Sequence, residues 1–391
     1  MRLISATTDF LISGRPYPGF PILLWDNMEG CRPVNEFFRF YLLRGAIGSK
    51  KSWSNTARAL YDYFSFLQAH NLSWDDVSRG EQKTLVAAYR DYCLEEYDLA
   101  RATVRNRLAY ICKFYEFAMH QQWIQALPFS YDIRRMSVDG RFLAHVSASG
   151  GVVATPNVMP RAHKGLPKFL SPAQVKQLLQ SAENPHHHMI IRLALGTGLR
   201  KEELATFPLA YVFNPDRPYR HERNVRVSLD PRDGHGMRTK GSKARDIYVS
   251  RQLMKDLHHY AVHQRGLRSA LSSHEHSPLF LNQSGEPFGS DGKSLDRIVR
   301  LIGQKAGLRV WTHMLRHTYA THTLVALQRE RDRNRIEPVV FLQRQLGHAS
   351  IQTTMAYLHL VNELADDAVL AYDDELNSFA TENQWESVRS L

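Results

Sequence analysis

The sequence is poor in cysteine and has no long hydrophobic run. Its three cysteines, Cys31, Cys93 and Cys112, form no CxxC pair, which argues against a disulfide framework and a cysteine-bound metal site. No stretch of about 18 consecutive apolar residues occurs, so a membrane-spanning helix is excluded. The first residues are broken by charge, Gly and Pro, unlike a signal peptide. We therefore expect a cytoplasmic protein without membrane contact.

Acidic residues are outnumbered by basic ones. Asp and Glu total 39 against 50 Lys and Arg, and the formal net charge is +11. From Glu363 onward there are eight acidic residues and one basic residue, Arg389, so this tail carries about −7 and the remainder about +18. Such an excess favours a polyanionic partner, most often nucleic acid. On charge alone, the alternative is a basic enzyme with an unrelated substrate.

Hydrophobic periodicity and turn residues divide the chain into five parts. These are an irregular segment, a bundle of four amphipathic helices, a Gly-, Ser- and Pro-rich linker, a second compact region and an acidic tail, covering residues 1–32, 33–127, 128–167, 168–360 and 361–391. The second compact region begins with a helix start signal, Ser171 followed by Pro172.

One β-hairpin is predicted inside the second compact region. The segments NVRVSLD and ARDIYVS alternate apolar and polar residues as strands do, and Gly241 and Ser242 lie at a turn between them. The remaining periodic segments are helical. The predicted fold is therefore mainly α with a small β-hairpin or sheet, an α+β protein.

Basic side chains suited to a phosphate group recur in two helical motifs. TGLRKEEL places Arg200 directly after a Gly-Thr-Gly break, at the start of a helix that carries Glu203. THMLRH places His313 and Arg316 three residues apart on one helix face, which His317 continues. Two guanidinium groups can donate paired hydrogen bonds to nonbridging phosphate oxygens and stabilise a pentavalent transition state.

The stretch LGHASIQTTMAYLH contains a candidate nucleophile, Tyr357, nine residues after His348. In one continuous helix, nine residues turn about 900° and leave the two side chains on opposite faces. If both reach one phosphate, the helix must break between them, and Ser350 is a suitable N-cap for a new helix.

Four motifs in this order, TGLRKEEL, TKGSKARDIYV, HMLRH and LGHASIQTTMAYLH, resemble the tyrosine recombinase (phage integrase) family. They span the second compact region, which the resemblance makes the catalytic domain. The helical bundle before it resembles the family's SAM-like core-binding domain. The resemblance implies a site-specific DNA recombinase of the integrase or transposon type. It also implies double-stranded DNA with specific recombination sites as partner, a homo-oligomer that is a tetramer in the synaptic complex, and no cofactor or metal.

The resemblance also assigns roles to residues around the phosphate. Arg200 and Arg316 clamp the scissile phosphate, His313 takes part in acid–base chemistry, and His348 donates to a phosphate oxygen. Glu203 matches a supporting position behind Arg200.

The remaining roles concern the bonds that form and break. By the resemblance, Tyr357 attacks and forms a 3′-phosphotyrosyl bond, and Lys240 in the hairpin turn protonates the departing 5′-oxygen. Lys243 is the alternative hairpin lysine. His317 is implied as a supporting residue behind Arg316.

Two features depart from the usual family pattern or extend it. A charged insertion, residues 328–338, lengthens the connection between Arg316 and His348. The acidic tail has apolar residues at roughly helical spacing, and the resemblance predicts that it docks on a neighbouring protomer.

Two other functions remain open from the sequence. One is a type IB topoisomerase-like nicking and closing enzyme, because it shares phosphotyrosyl chemistry. The other is a catalytically silent, sequence-specific DNA-binding protein.

Overall fold

The computed structural model describes residues 1–43, 51–135, 152–161, 166–216, 224–329 and 337–358. The chain divides into two compact units, Met1–Lys164 and Gly165–Leu391. In the described part of the chain, every helix is too short or too polar to span a lipid bilayer.

In its described residues, the N-terminal unit contains the four predicted helices and three two-stranded antiparallel sheets. Its elements are β1 Arg2–Ser5, β2 Leu11–Ile12, β3 Arg15–Pro16, β4 Pro21–Leu24, α1 Arg32–Leu42, α2 Lys51–Ala69, α3 Leu85–Asp91, α4 Arg101–His120, β5 Tyr131–Arg135 and β6 Val152–Pro156. Helix α3 continues as a π-helical turn, Tyr92–Glu96. The core between the helices is aromatic, and Phe114 packs edge-on against both Phe37 and Phe64.

The first 32 residues were expected to be irregular, and this expectation is wrong. Strand β1 pairs antiparallel with β4, and β2 pairs with β3. Strands of two to four residues are too short for an alternating pattern to stand out, which explains the error. Phe20 and Leu23 from this segment are buried in the helical core.

The expected extended linker also contains paired strands. Strand β5 pairs antiparallel with β6, from Tyr131 opposite Pro156 to Arg135 opposite Val152. Just beyond β6, Val158 is buried in the core of the N-terminal unit. The Gly- and Ser-rich composition that suggested a linker falls mostly in residues 136–151, which lie outside the described residues.

In its described residues, the C-terminal unit is helical with one hairpin. Its elements are α5 Pro172–Ser181, α6 Pro185–Thr197, α7 Lys201–Ala205, β7 Asn224–Leu229, β8 Arg245–Ser250, α8 Arg251–Tyr260, α9 Gly266–Ser269, α10 Lys293–Lys305, α11 Thr312–Arg329, α12 Pro338–Leu346 and a last helix, α13, described over residues 351–358. The predicted start of α5 is confirmed, because Ser171 and Gln174 cap it reciprocally.

The predicted hairpin is present in the C-terminal unit. Strands β7 and β8 pair antiparallel, from Asn224 opposite Ser250 to Leu229 opposite Arg245. In the connection between them, Gly241 has φ +72°, a backbone conformation that glycine adopts without strain. The prediction of a mainly α fold with a small β component is confirmed.

Helices α6, α11, α12 and α13 hold the segments that later form the site. Helix α11 packs against α6 and α12, and α12 packs against β8. Ala320, Leu342 and Tyr357, from α11, α12 and α13, share one small buried cluster. The acidic tail and residues 330–336 of the charged insertion lie outside the described residues. The hypothesis that the tail docks on a neighbouring protomer therefore concerns residues outside the described part of the chain.

Candidate active site

Arg316 joins the C-terminal ends of two helices. Its side chain is almost fully buried, at 1% exposure. Its Nη1 donates to the carbonyl of Gly198 at 2.6 Å, and its Nη2 donates to the carbonyl of Leu346 at 2.7 Å. Gly198 caps α6 and Leu346 ends α12. A guanidinium there satisfies carbonyls that have no partner within their own helices and meets the negative ends of two helix dipoles.

The charge on Arg316 survives its burial. Burial and the neighbouring charge of Arg200 lower the pKa of Arg316 to about 9, so the group stays protonated at neutral pH. Burying a charge without partners costs free energy. The two hydrogen bonds to carbonyl oxygens therefore hold this guanidinium in place.

Arg200 stands at the N-cap of α7 and is held by Glu203. Its backbone N–H donates to Glu203 Oε2 at 2.8 Å and its Nη1 donates to Oε1 at 3.0 Å. Its Nη2 donates to the carbonyl of Gly347 at 3.3 Å. The Glu203 carboxylate therefore contacts both the backbone and the side chain of Arg200.

Arg245 is a member of this network to which the sequence analysis gave no role. Its Nη1 and Nη2 each donate at 2.7 Å to separate oxygens of Glu203, a bidentate pair. The signal was present: Arg245, Ile247 and Val249 share one face of β8 by strand alternation, and the two apolar residues are buried. A charged residue on such a face requires a buried partner.

The Glu203 carboxyl is fully ionised in this setting. Burial raises its pKa, but the hydrogen bonds and charges of Arg245 and Arg200 outweigh burial and lower the pKa to about 2. Among the described residues of this network, two guanidinium groups bind one carboxylate, and the charge of a third, Arg316, interacts with it at longer range. The excess positive charge suits the region to an anion.

Tyr357 lies against two histidines. It is 3% exposed, and its hydroxyl is 2.8 Å from Nδ1 of His317. Its ring is nearly parallel to that of His348, with centroids 6.2 Å apart. Burial raises the pKa of Tyr357, and the charges of Arg316 and Arg200 oppose that rise. His317 therefore contacts the tyrosine, whereas the sequence analysis expected it behind Arg316.

The helix break predicted between His348 and Tyr357 is present. Helix α12 ends at Leu346 and is capped by Gly347, which has φ +66°, and residues 351–358 form the next helix. The Ser350 hydroxyl accepts from the backbone N–H of Gln352 at 3.2 Å, as an N-cap does. The break brings the two side chains together.

His348 is a neutral imidazole in this site. Its Nδ1 lies 2.9 Å from the hydroxyl of Thr354. Burial, followed by the charges of Arg316 and Arg200, lowers the pKa of His348 to about 3.

Lys240 and His313 occupy exposed positions beside the buried groups. Lys240 begins a short 3₁₀ turn in the hairpin connection, and His313 lies in the first turn of α11, its ring centroid 4.5 Å from that of His317. Although the residue keeps an exposed surface, partial desolvation of its ring by neighbouring protein atoms, then the charges of Arg316, Arg200 and Lys240, lower the pKa of His313. The positive charge of Lys240 therefore acts on His313. Lys243 is also exposed, and its carbonyl accepts from the Thr239 hydroxyl at 2.7 Å.

Comparison with known proteins gives one family match and related full-length proteins. A model of the phage integrase family matches residues 168–363, half of the chain. The chain is 25% identical over 354 residues to tyrosine recombinase XerC of Bacillus subtilis (strain 168), covering 88% of this chain and 97% of that protein. It is 24% identical over 367 residues to transposase A from transposon Tn554 of Staphylococcus aureus, covering 90% of this chain and 93% of the transposase.

Two solved structures have the same fold. The XerH site-specific recombinase bound to palindromic difH substrate matches with a TM-score of 0.55 and 17% identity, over 90% of each chain. The Tn1549 transposon integrase in complex with a circular intermediate DNA matches with a TM-score of 0.54 and 18% identity, over 84% of this chain and 94% of the integrase.

Proposed function

The chain belongs to the phage integrase family of tyrosine recombinases and is a DNA strand-transferring enzyme, and we propose that Tyr357 is its nucleophile. In this proposal Tyr357 attacks a phosphodiester in duplex DNA and forms a 3′-phosphotyrosyl bond with release of a 5′-hydroxyl. The ester retains the energy of the broken bond, so rejoining to another 5′-hydroxyl completes the exchange without a separate energy source.

The observation that carries this proposal is the setting of the Tyr357 hydroxyl. A buried phenol lies beside imidazoles and within the electrostatic reach of two guanidinium groups. Ordinary core tyrosines are not placed beside an excess of buried positive charge. An anionic phosphate is the group that such a site would stabilise, most strongly in the transition state.

The surrounding residues take the roles that the family motifs assign. Arg200 and Arg316 bind the nonbridging oxygens, and Arg316 is oriented for this by its two carbonyl bonds. His348 donates to a phosphate oxygen, His313 takes part in proton transfer, and Lys240 protonates the 5′-oxygen. The flexible stem of Lys240 and its exposed position suit it to follow a leaving group.

We propose duplex DNA with specific recombination sites as the partner, with the protein acting as a homo-oligomer that is a tetramer when two sites are paired. The basic excess outside the tail supports a polyanionic partner. The solved XerH and Tn1549 proteins were each captured on DNA. Neither the topoisomerase-like nor the catalytically silent alternative is favoured by these relatives.

A covalent capture experiment tests the proposed function. Wild-type protein and Tyr357→Phe are incubated with sheared DNA from the source genome, denatured in detergent, and the DNA attached to protein is sequenced. The wild type should retain one recurrent sequence and the Phe variant none, because only the phenolic oxygen is removed. Equal retention by both proteins would remove Tyr357 as the nucleophile. The recovered sequence then supplies a nicked duplex for kinetics.

A further inference from the structure

We infer that His317 is a catalytic residue that accepts the phenolic proton of Tyr357 through Nδ1 as the tyrosine attacks phosphorus. This inference rests on the proposed function. It goes beyond the supporting role that the sequence motifs imply for this histidine.

His317 is in direct contact with the hydroxyl of Tyr357. His317 Nδ1 lies 2.8 Å from Tyr357 Oη, which is hydrogen-bonding distance for an O–H donor. The two residues are 40 positions apart in sequence, on α11 and α13, so helix packing holds the pair together. A general base must reach the proton that it removes, and His317 does so without any movement.

The imidazole of His317 is also in the protonation state that can accept a proton. A neutral histidine has one ring nitrogen that accepts a hydrogen bond. Burial, and then the charges of His313 and Arg316, lower the pKa of His317 to about 4. At neutral pH the ring is therefore uncharged, and Nδ1 can accept from the hydroxyl when Nε2 carries the hydrogen.

Among the described groups around Tyr357, the arginines, Glu203 and His348 are engaged or unsuitable as the base. Arginine cannot accept a proton at neutral pH. Both oxygens of Glu203 already accept bonds from Arg200 and Arg245. His348 has its Nδ1 bonded to Thr354 and lies ring against ring with Tyr357. His317 is the described histidine that presents a ring nitrogen to the hydroxyl.

The proton balance of the step is complete. The Oη–H bond of Tyr357 breaks and its proton moves to Nδ1 of His317. The Oη–P bond forms, the P–O5′ bond breaks, and O5′ takes a proton from Lys240. On rejoining, the 5′-hydroxyl returns its proton to Lys240, and the imidazolium of His317 returns a proton to the released phenolate.

Two substitutions separate proton transfer from positioning. In His317→Asn, the amide Oδ1 is as many bonds from the backbone as Nδ1 and can still accept a hydrogen bond, but it cannot take up a proton at neutral pH. His317→Ala removes both properties. His322→Gln is the matched control, because His322 lies on the same helix and its Nε2 bonds the Leu170 carbonyl, away from Tyr357.

Single-turnover cleavage of the nicked duplex provides the measurement. His317→Asn should bind the duplex as wild type does and cleave it about 10²-fold or more slowly, the usual contribution of a general base. His322→Gln should cleave at the wild-type rate. Cleavage by His317→Asn at the wild-type rate would overturn the inference and assign the proton to water or another group.

A second substrate distinguishes the base from the acid. Replacing the bridging 5′-oxygen with sulfur gives a leaving group that needs no proton. Lys240→Ala should recover most of its rate on this substrate, whereas His317→Asn should stay slow because the phenol must still lose its proton. Recovery of His317→Asn would contradict the inference. Failure of the wild type itself to form a covalent complex would instead count against the proposed function.

Discussion

Arg245 and Glu203 form a bidentate ion pair, with both guanidinium Nη atoms 2.7 Å from separate carboxylate oxygens. The pair links the first residue of β8 to α7, and the same carboxylate holds Arg200. The hairpin and the phosphate-binding arginine therefore depend on one buried carboxylate.

Arg245→Gln should destabilise the protein and slow DNA cleavage. Removing one partner of a buried ion pair leaves an incompletely compensated charge and costs about 3 kcal/mol or more of unfolding free energy. Arg200 would lose its fixed partner geometry as Glu203 shifts. Urea unfolding and single-turnover cleavage check the two effects.

Arg226→Gln is the matched control for that change. Arg226 lies on the facing strand and pairs with Asp246 at the surface, where ion pairs contribute little. It should unfold and cleave nearly as wild type does. Equal losses in the two variants would show that burial of the Arg245 pair is not what matters.

Gly347→Ala should impair both folding and cleavage more than Gly307→Ala. Both glycines have positive φ, at +66° and +65°, so each alanine costs roughly 1 kcal/mol of backbone strain. A Cβ on Gly347 would stand 2.7 Å from Cδ of Arg245, whereas one on Gly307 meets nothing within 4 Å. Thermal unfolding of the two variants isolates the clash, and equal melting temperatures would argue against it.

Arg200→Lys and Arg316→Lys should each lose activity on the order of 10²-fold or more, because lysine cannot make paired donations to one phosphate. The two variants should differ in stability. Arg316→Lys should unfold more easily than Arg200→Lys, since the Arg316 guanidinium bridges the buried carbonyls of Gly198 and Leu346. Single-turnover cleavage and urea unfolding measure the two effects. Near-wild-type cleavage by both variants would locate the phosphate elsewhere.

Stability should fall as the pH is lowered from 7 to 5. The pKa values of His317 and His348 in the folded protein are lowered to about 4 and about 3 from the ordinary 6.5, mainly by burial. The unfolded chain therefore binds protons first. The stabilisation is complete above the ordinary value and is lost as the pH falls toward the folded values, by at most about 1.4 kcal/mol per pH unit for each histidine.

Urea unfolding at several pH values checks this dependence, with His317→Asn as comparison. The variant should show a shallower slope between pH 7 and 5, because one of the histidines with a lowered pKa no longer contributes. Glu203 does not change stability between pH 7 and 5. Its stabilising contribution is lost only as the pH falls below 4.5, the ordinary pKa of a glutamate, toward its folded pKa of about 2. A flat profile in the wild type would contradict the burial of the histidines.

Local rules were enough to predict much of the fold. Reciprocal capping at Ser171, strand alternation in β7 and β8, and the helix break at Ser350 each depend on residues close in sequence. The paired strands of the first 32 residues were missed because they are too short to show an alternating pattern.

Contacts between distant residues of the site could not be predicted in the same way. Arg245 meets Glu203 across 42 residues, and His317 meets Tyr357 across 40. Motifs named His317 as a supporting residue, but only the packing of α11 against α13 decides which atom its ring faces. The alternation of side chains along β8 indicates that Arg245 faces the core and needs a buried partner, but it does not identify that partner.

The central claim, that Tyr357 carries the DNA, is tested most directly by mass spectrometry of the trapped complex. Wild-type protein is denatured on the nicked duplex, digested with protease and nuclease, and its peptides are sequenced in the spectrometer. The account predicts a nucleotide attached through phosphate to Tyr357. Attachment at another residue, such as the partly buried Tyr319 on α11, would contradict it.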